Sequence, residues 1–191
     1  MKALAIIEDE HRAITAVIEG LRHVLAEMRA GTMPPEPTLV GAMFHYIEQF
    51  PERLHHPKED DFLFERLRAR RPDAAPLLDS LQREHAIGRE RFGQLRRHYE
   101  RFVADPSTLG TFADAVDRYA DFHWRHMRRE EDEVMPLAAQ ALTADDWAGI
   151  DAAFASNADP IVGVDARKAF RELFRRLVAL LPPPHGVGPR R

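Results

Sequence analysis

Apolar residues recur three and four positions apart along almost the whole chain, and no stretch keeps the two-residue rhythm of a strand. The stripe Leu4, Ile7, His11, Ile14, Ile18, Leu21, Leu25, Met28 predicts a first helix over residues 4–30, stopped by Gly31 and Pro34-Pro35. Val40, Phe44, Ile47, Leu54, Phe62 and Leu63 mark a second over residues 38–70. Leu78, Leu81, His85, Gly88, Phe92, Leu95, Tyr99 and Phe102 mark a third over 76–103, with a turn at Asp105-Pro106-Ser107. A fourth, over 108–142, carries Phe112, Val116, Tyr119, His123, His126, Glu130, Val134 and Leu137 in line. Long helices with short connections predict an all-α fold: an antiparallel up-down four-helix bundle over residues 1–142. Thr143-Ala-Asp-Asp146 resembles a capping box with Asp in the place of Glu or Gln, and starts a shorter helix to about residue 155. Another amphipathic helix is expected over 165–181. These C-terminal helices, residues 143–181, are too short for a core of their own and are read as an extension packed on the bundle. Pro182-Pro183-Pro184 ends regular structure and opens a disordered tail over 182–191.

Polar residues interrupt this pattern in a matched way. His55-His-Pro-Lys-Glu59-Asp-Asp and His126-Met-Arg-Arg-Glu130-Glu-Asp each read His-x-x-x-Glu followed by an acidic pair. Residues four apart share a helix face, so each segment aims an imidazole and a carboxylate at one point. His11 and His85 sit inside the apolar stripes of the first and third helices. A lone histidine on an apolar face is ordinarily a hydrogen-bonded core residue, and a lone His-x-x-x-Glu pair ordinarily a surface contact. An inward histidine on each of four helices is a different matter. A buried ionised glutamate without a partner costs several kcal/mol or neutralises itself, and a pair of metal ions satisfies both glutamates and the imidazoles together. The expected metal ligands are His11, His55, Glu59, His85, His126 and Glu130.

His56 and His123 adjoin these ligands and could replace or supplement them. His123 shares the inward face, whereas His56, rotated by about 100° from His55, is expected to point away. Pro57, between His55 and Glu59, and Pro51 one turn earlier predict that the second helix is bent or interrupted here. That leaves His56 as an alternative to His55, although the parallel with an unbroken fourth helix favours His55. His23, His45, His98 and His185 show no partner pattern, and the basic run Arg66–Arg71 reads as a solvated helix end.

Composition narrows the chemistry. The 191 residues include no cysteine, so disulfides, thiolate nucleophiles and sulfur-ligated metals are excluded; nitrogen and oxygen donors suit iron, manganese or zinc. A net charge of −4 argues against nucleic acid and anionic membranes. No stretch is long and apolar enough for a signal peptide or a membrane span, so a cytoplasmic protein is expected. There is no nucleotide loop, no HExxH and no Ser/His/Asp set.

Glu10-His11-Arg12, His55-His-Pro-Lys-Glu59, Glu84-His85 and His126-Met-Arg-Arg-Glu130-Glu, in that order and spacing, resemble the hemerythrin-like, or HHE cation-binding, family over residues 4–140. The resemblance implies a non-haem di-iron centre in a four-helix bundle. Glu59 and Glu130 would bridge the irons together with a solvent-derived oxo or hydroxo group, and His11, His55, His85 and His126 would be terminal ligands. Oxygen-carrying hemerythrins have His-x-x-x-His in the third helix and Asp in the fourth. Here Arg89 stands four after His85, and Glu130 replaces the Asp pattern. Fewer imidazoles leave more room for solvent or an exogenous ligand and disfavour reversible oxygen storage. The expected role is sensing or handling oxygen, nitric oxide, peroxide or iron, with a protein partner or a homodimer to transmit a signal. The rivals are a redox enzyme, a peroxidase or nitric oxide-consuming protein on the same centre, and a metal-independent helical interaction module.

Overall fold

The computed structural model describes residues 1–156 and the positions Arg175 and Ala179. Apart from those two positions, the helix expected over residues 165–181 and the tail over 182–191 lie outside the described residues. Among the described residues every regular element is helical. Helix α1 is Lys2–Arg29, and Gly31, at φ 72°, takes the left-handed conformation that glycine adopts without strain just past a helix end. The second long helix is composite: α2 (Pro37–Gln49), a π-helical stretch (Pro51–His55), α3 (His56–Lys58), a second π-helical stretch (Glu59–Phe64) and α4 (Glu65–Arg70). Helix α5 is Ala75–Ala104. The fourth long helix comprises α6 (Leu109–Arg129), a π-helical stretch (Glu130–Val134) and α7 (Met135–Ala141). Helix α8 is Ala144–Ala155, and the capping box forms: Thr143 N–H donates to Asp146 Oδ2 at 2.9 Å, and Asp146 N–H to Thr143 Oγ1 at 3.3 Å.

Side-chain contacts give the topology. Along α1, His11, Arg22 and Arg29 meet Glu131, Asp117 and Asp114 in turn, so the first and fourth long helices are antiparallel. Tyr99, Phe92 and His85 of α5 meet Pro37, Phe44 and Asp60 in turn, which sets the second and third antiparallel. Phe102–Phe112, Phe92–Tyr119 and His85–Glu130 do the same for the third and fourth. The chain is an antiparallel four-helix bundle.

The core is in two parts. One end is filled by Ile14 to Met28 of α1, Leu39 to Ile47 of α2, Phe92, Leu95 and Phe102 of α5, and Phe112, Val116 and Tyr119 of α6. At the other end Ile7, Leu63, Leu67, Leu78, Leu81 and Val134 pack with Trp147, Ile150 and Phe154, so α8 covers that end of the bundle. Between these two apolar layers lies one polar layer, which contains every buried charged or imidazole side chain among the described residues: Glu10, His11, Glu52, His55, His56, Glu59, His85, His123, His126 and Glu130. The basic run lies at the surface, as expected of a solvated helix end, and makes ion pairs at three points. Arg68 pairs with Asp79, Arg70 with Asp146 of α8, and Arg71 with Asp73.

The π-helical stretches are where the local reading needs correction. His55 N–H and Leu54 N–H both donate to Phe50 O, at 3.1 and 3.0 Å, which opens an i→i+5 turn. Pro51 and Pro57, which lack the N–H that a regular ladder uses, bracket that turn. The fourth helix is interrupted too, with Met135 N–H reaching back five residues to Glu130 O; its stretch ends two residues before Pro136, as the first ends two residues before Pro57. An extra residue per turn changes which side chains face inward. Leu54, expected inside, is 37% exposed, and His56, expected to point away, is buried in the polar layer.

Candidate metal centre

Glu59 and Glu130 each begin a π-helical stretch and are buried there. None of the six expected ligands is more than 2% exposed. They converge. Glu59 Oε1 lies 3.4 Å from His55 Nε2 and 3.7 Å from His11 Nε2, while its Oε2 lies 3.6 Å from His85 Nε2. Glu130 Oε1 lies 3.2 Å from His126 Nε2 and 3.3 Å from His85 Nε2, while its Oε2 lies 3.5 Å from His11 Nε2. Each carboxylate therefore offers one oxygen to the His11–His55 side and the other to the His85–His126 side.

All four imidazoles are held the same way. His55 Nδ1 donates to Glu10 Oε2 at 2.8 Å, His85 Nδ1 to Asp60 Oδ1 at 2.9 Å, His11 Nδ1 to Glu131 Oε1 at 2.8 Å and His126 Nδ1 to Glu84 Oε2 at 3.1 Å. An ionised carboxylate can only accept, so Nδ1 carries the proton and each Nε2 is turned inward. The pattern has an approximate twofold relation. The residue preceding His11 holds His55, and the residue preceding His85 holds His126. The residue following Glu59 holds His85, and the residue following Glu130 holds His11. Arg129 adds an ion pair to Glu84.

Without a cation the layer is left unsatisfied. His11 Nε2, His55 Nε2, His126 Nε2, both Glu59 oxygens and Glu130 Oε2 are buried and have no hydrogen-bond partner. Buried polar atoms are nearly always paired, so six orphans pointing at one another call for something between them. Two donors at right angles on one ion, each about 2.1 Å from it, stand about 3 Å apart; the N···O separations here are close to that. Donor groups able to hold an ion are His11, His55 and Glu59; Glu59, His85 and Glu130; and His56, His85 and His126. The residues fit a pair of metal ions.

The electrostatics agree. Burial works against charge on His11, but Glu131, Glu59 and Glu130 outweigh it and raise its pKa to about 10. His126 rises to about 10 and His85 to about 9, again against burial, through Glu130 with Glu84 and through Asp60 with Glu130 respectively. Burial resists ionisation of Glu130, yet His126 and His85 hold its pKa well below the ordinary value. In the metal-free layer, protons occupy the places that cations would take.

The scan of family models matches the hemerythrin HHE cation-binding domain over residues 2–138. The chain belongs to the hemerythrin HHE cation-binding family. Comparison with curated proteins and with solved structures finds no match. The four-helix bundle expected of a hemerythrin domain is present, and no helix among the described residues is long and apolar enough to cross a membrane.

Sequence reasoning located the six residues that the fold brings together. It gives no sign of Glu52, and the orientation it expects for His56, kept there as an alternative to His55, differs from the buried position found. Glu52 is 8% exposed, and Tyr119 donates to its Oε1 at 3.4 Å. His123 is buried as expected, with neither ring nitrogen partnered, and packs on Tyr119. His23 and His98 are half-buried and His45 exposed, all outside the layer; His185 lies outside the described residues. The roles of Asp60 and Glu131 were not assigned, although the acidic pair after each glutamate was plain in the sequence. Both lie toward the rim, so Asp60→Ala and Glu131→Ala should fold. Each is expected to weaken metal binding by about 10- to 100-fold, as loss of a ligand-orienting carboxylate typically does. Competition with a chelator, alongside an unchanged helical signal, measures this.

Proposed function

We propose that this hemerythrin-domain protein holds two iron ions and uses them to sense or handle oxygen, nitric oxide or peroxide. His11 and His55 would hold one ion, His85 and His126 the other, and Glu59 and Glu130 would be shared between them; manganese and zinc suit the same donors. One observation carries this reading: each glutamate divides its two oxygens between the two histidine pairs, and most of those atoms lack any other partner. A metal-independent interaction module would have no use for buried donors left unpaired.

Iron bound here would supply a redox couple and a Lewis-acidic centre for a small ligand. The chain's own contribution is to exclude water with an apolar layer on either side, and to fix each imidazole through its Nδ1–H. The test is anaerobic reconstitution with ferrous iron, desalting, and metal analysis followed by exposure to air. Two irons per chain, with near-ultraviolet charge-transfer absorption after oxidation, are expected. No bound iron, or a single zinc, would sink the redox reading. Turnover of peroxide or nitric oxide with an electron donor would identify an enzyme rather than a sensor.

A further inference from the structure

Once six donors are assigned, two imidazoles in the polar layer, His56 and His123, still have no role, and of these only His56 places a donor atom beside those of His85 and His126. His56 is 2% exposed, and its ring stacks on His85 with centroids 4.4 Å apart and stands edge-on to His126 at 5.6 Å. One donor atom from each of His56, His85 and His126 lies within 4.8 Å of the others. Among the described residues, no third imidazole is grouped in this way with His11 and His55.

Building on the two-ion reading above, we propose that His56 is a third imidazole ligand to the ion held by His85 and His126, oriented by Glu52 and Tyr119. The two metal positions are then unequal, one with three imidazoles and the other with two. The approximate twofold relation makes the asymmetry plain. The residue after His55 is His56, whereas the residue after His126 is Met127, a buried thioether side chain with no imidazole to offer.

The surroundings of His56 repeat the pattern of the other ligands. Each of the four assigned imidazoles turns Nδ1 to a carboxylate. His56 Nδ1 faces Glu52 Oε2 at 3.8 Å, with both atoms buried and unpartnered, a small side-chain adjustment from the same bond. Tyr119 fixes the other Glu52 oxygen. The widened turn between Pro51 and His55 is what makes this possible. It brings two successive residues, His55 and His56, into one layer, where a regular helix would turn the second aside. The third helix supplies no alternative, because Arg89, four after His85, is exposed.

Mössbauer spectroscopy of the full chain loaded with iron-57 distinguishes the two positions. The unmodified protein should give two doublets of equal area with different quadrupole splittings. His56→Ala should displace one doublet and leave the other, and free imidazole should restore the displaced one. Loss of only one iron from that variant would also support the assignment. Glu52→Gln and Tyr119→Phe should perturb the same doublet while two irons remain bound. His56→Gln, with a similar volume, together with the helical signal, guards against misfolding. If His56→Ala folds, binds two irons and leaves both doublets unchanged, His56 is a packing residue and the inference is overturned. Failure of the unmodified protein to take up an iron pair would instead overturn the two-ion reading, and this inference with it.

Discussion

Replacing Glu130 with alanine is expected to cut bound metal from two ions per chain to one or none. Glu130 approaches His126 and His85 with one oxygen and His11 with the other, so its loss removes a donor from both positions at once. Removal of His55 would take a donor from one position only. In the metal-free protein the same substitution strips three protonated imidazoles of a shared counterion. Breaking a buried pair by removing one partner costs about 3–5 kcal/mol, so the apo variant should also melt well below the unmodified apo protein. Glu130→Gln separates charge from shape, since the amide keeps the volume and one acceptor but cannot bridge two cations. It should lose metal like alanine and destabilise the apo fold less. Metal analysis after desalting decides the matter, and full retention of two ions in the alanine variant would count against a bridging role.

Glu130 also shows what a single chain can reveal about such a centre. Within one helix the spacing rule is sufficient: His126 and Glu130 sit four apart, and they meet at 3.2 Å. Across helices no rule of spacing applies, so the pairing of Glu10 with His55 and of Glu131 with His11 comes only from the bundle. The apolar stripes gave the four long helices to within a few residues, because a 3.6-residue period sustained over twenty positions has few other readings. They gave no sign of the π-helical stretches. A regular 3.6-residue turn leaves the fourth helix unbroken and turns His56 away, whereas the fourth helix widens at Glu130–Val134 and His56 is buried. Pro57 and Pro136 were the available signal, each two residues beyond a widened turn. Glu52 was missed because a lone carboxylate in a polar-rich stretch looks solvated until the turn that buries it is known. π-Turns recur at functional sites, and here each of the three π-helical stretches contains a candidate ligand, His55, Glu59 or Glu130.

The metal-free protein is expected to be most stable near pH 6–7, and metal uptake should strengthen steeply as pH rises above that range. Two sets of imidazoles set these limits with opposite signs. His11, His85 and His126 have folded pKa values of about 10, 9 and 10, above the ordinary 6.5. Between 6.5 and those values the folded chain binds protons that the unfolded chain has released. Their contribution is thus complete below pH 6.5 and lost as pH climbs through 9–10. His55 and His123, at about 4 and 3, behave in reverse: below 6.5 the unfolded chain takes up protons that the buried rings refuse. Stability therefore also falls as pH drops from 6.5 toward 4 and 3. Metal ligation needs each Nε2 without its proton, so at pH 7 binding of the ion pair should expel protons from His11, His85 and His126. Calorimetric titration in buffers of differing ionisation enthalpy counts them directly. With up to three protons displaced, the affinity for the pair should rise by as much as about 1,000-fold per pH unit, since each proton contributes a factor of ten. In the metal-loaded protein the alkaline loss of stability should disappear, because those nitrogens are held by cations at every pH in that range. Metal binding that releases no protons at pH 7 would mean that the imidazoles are already neutral in the apo layer, and the charge balance drawn around Glu130 would be wrong.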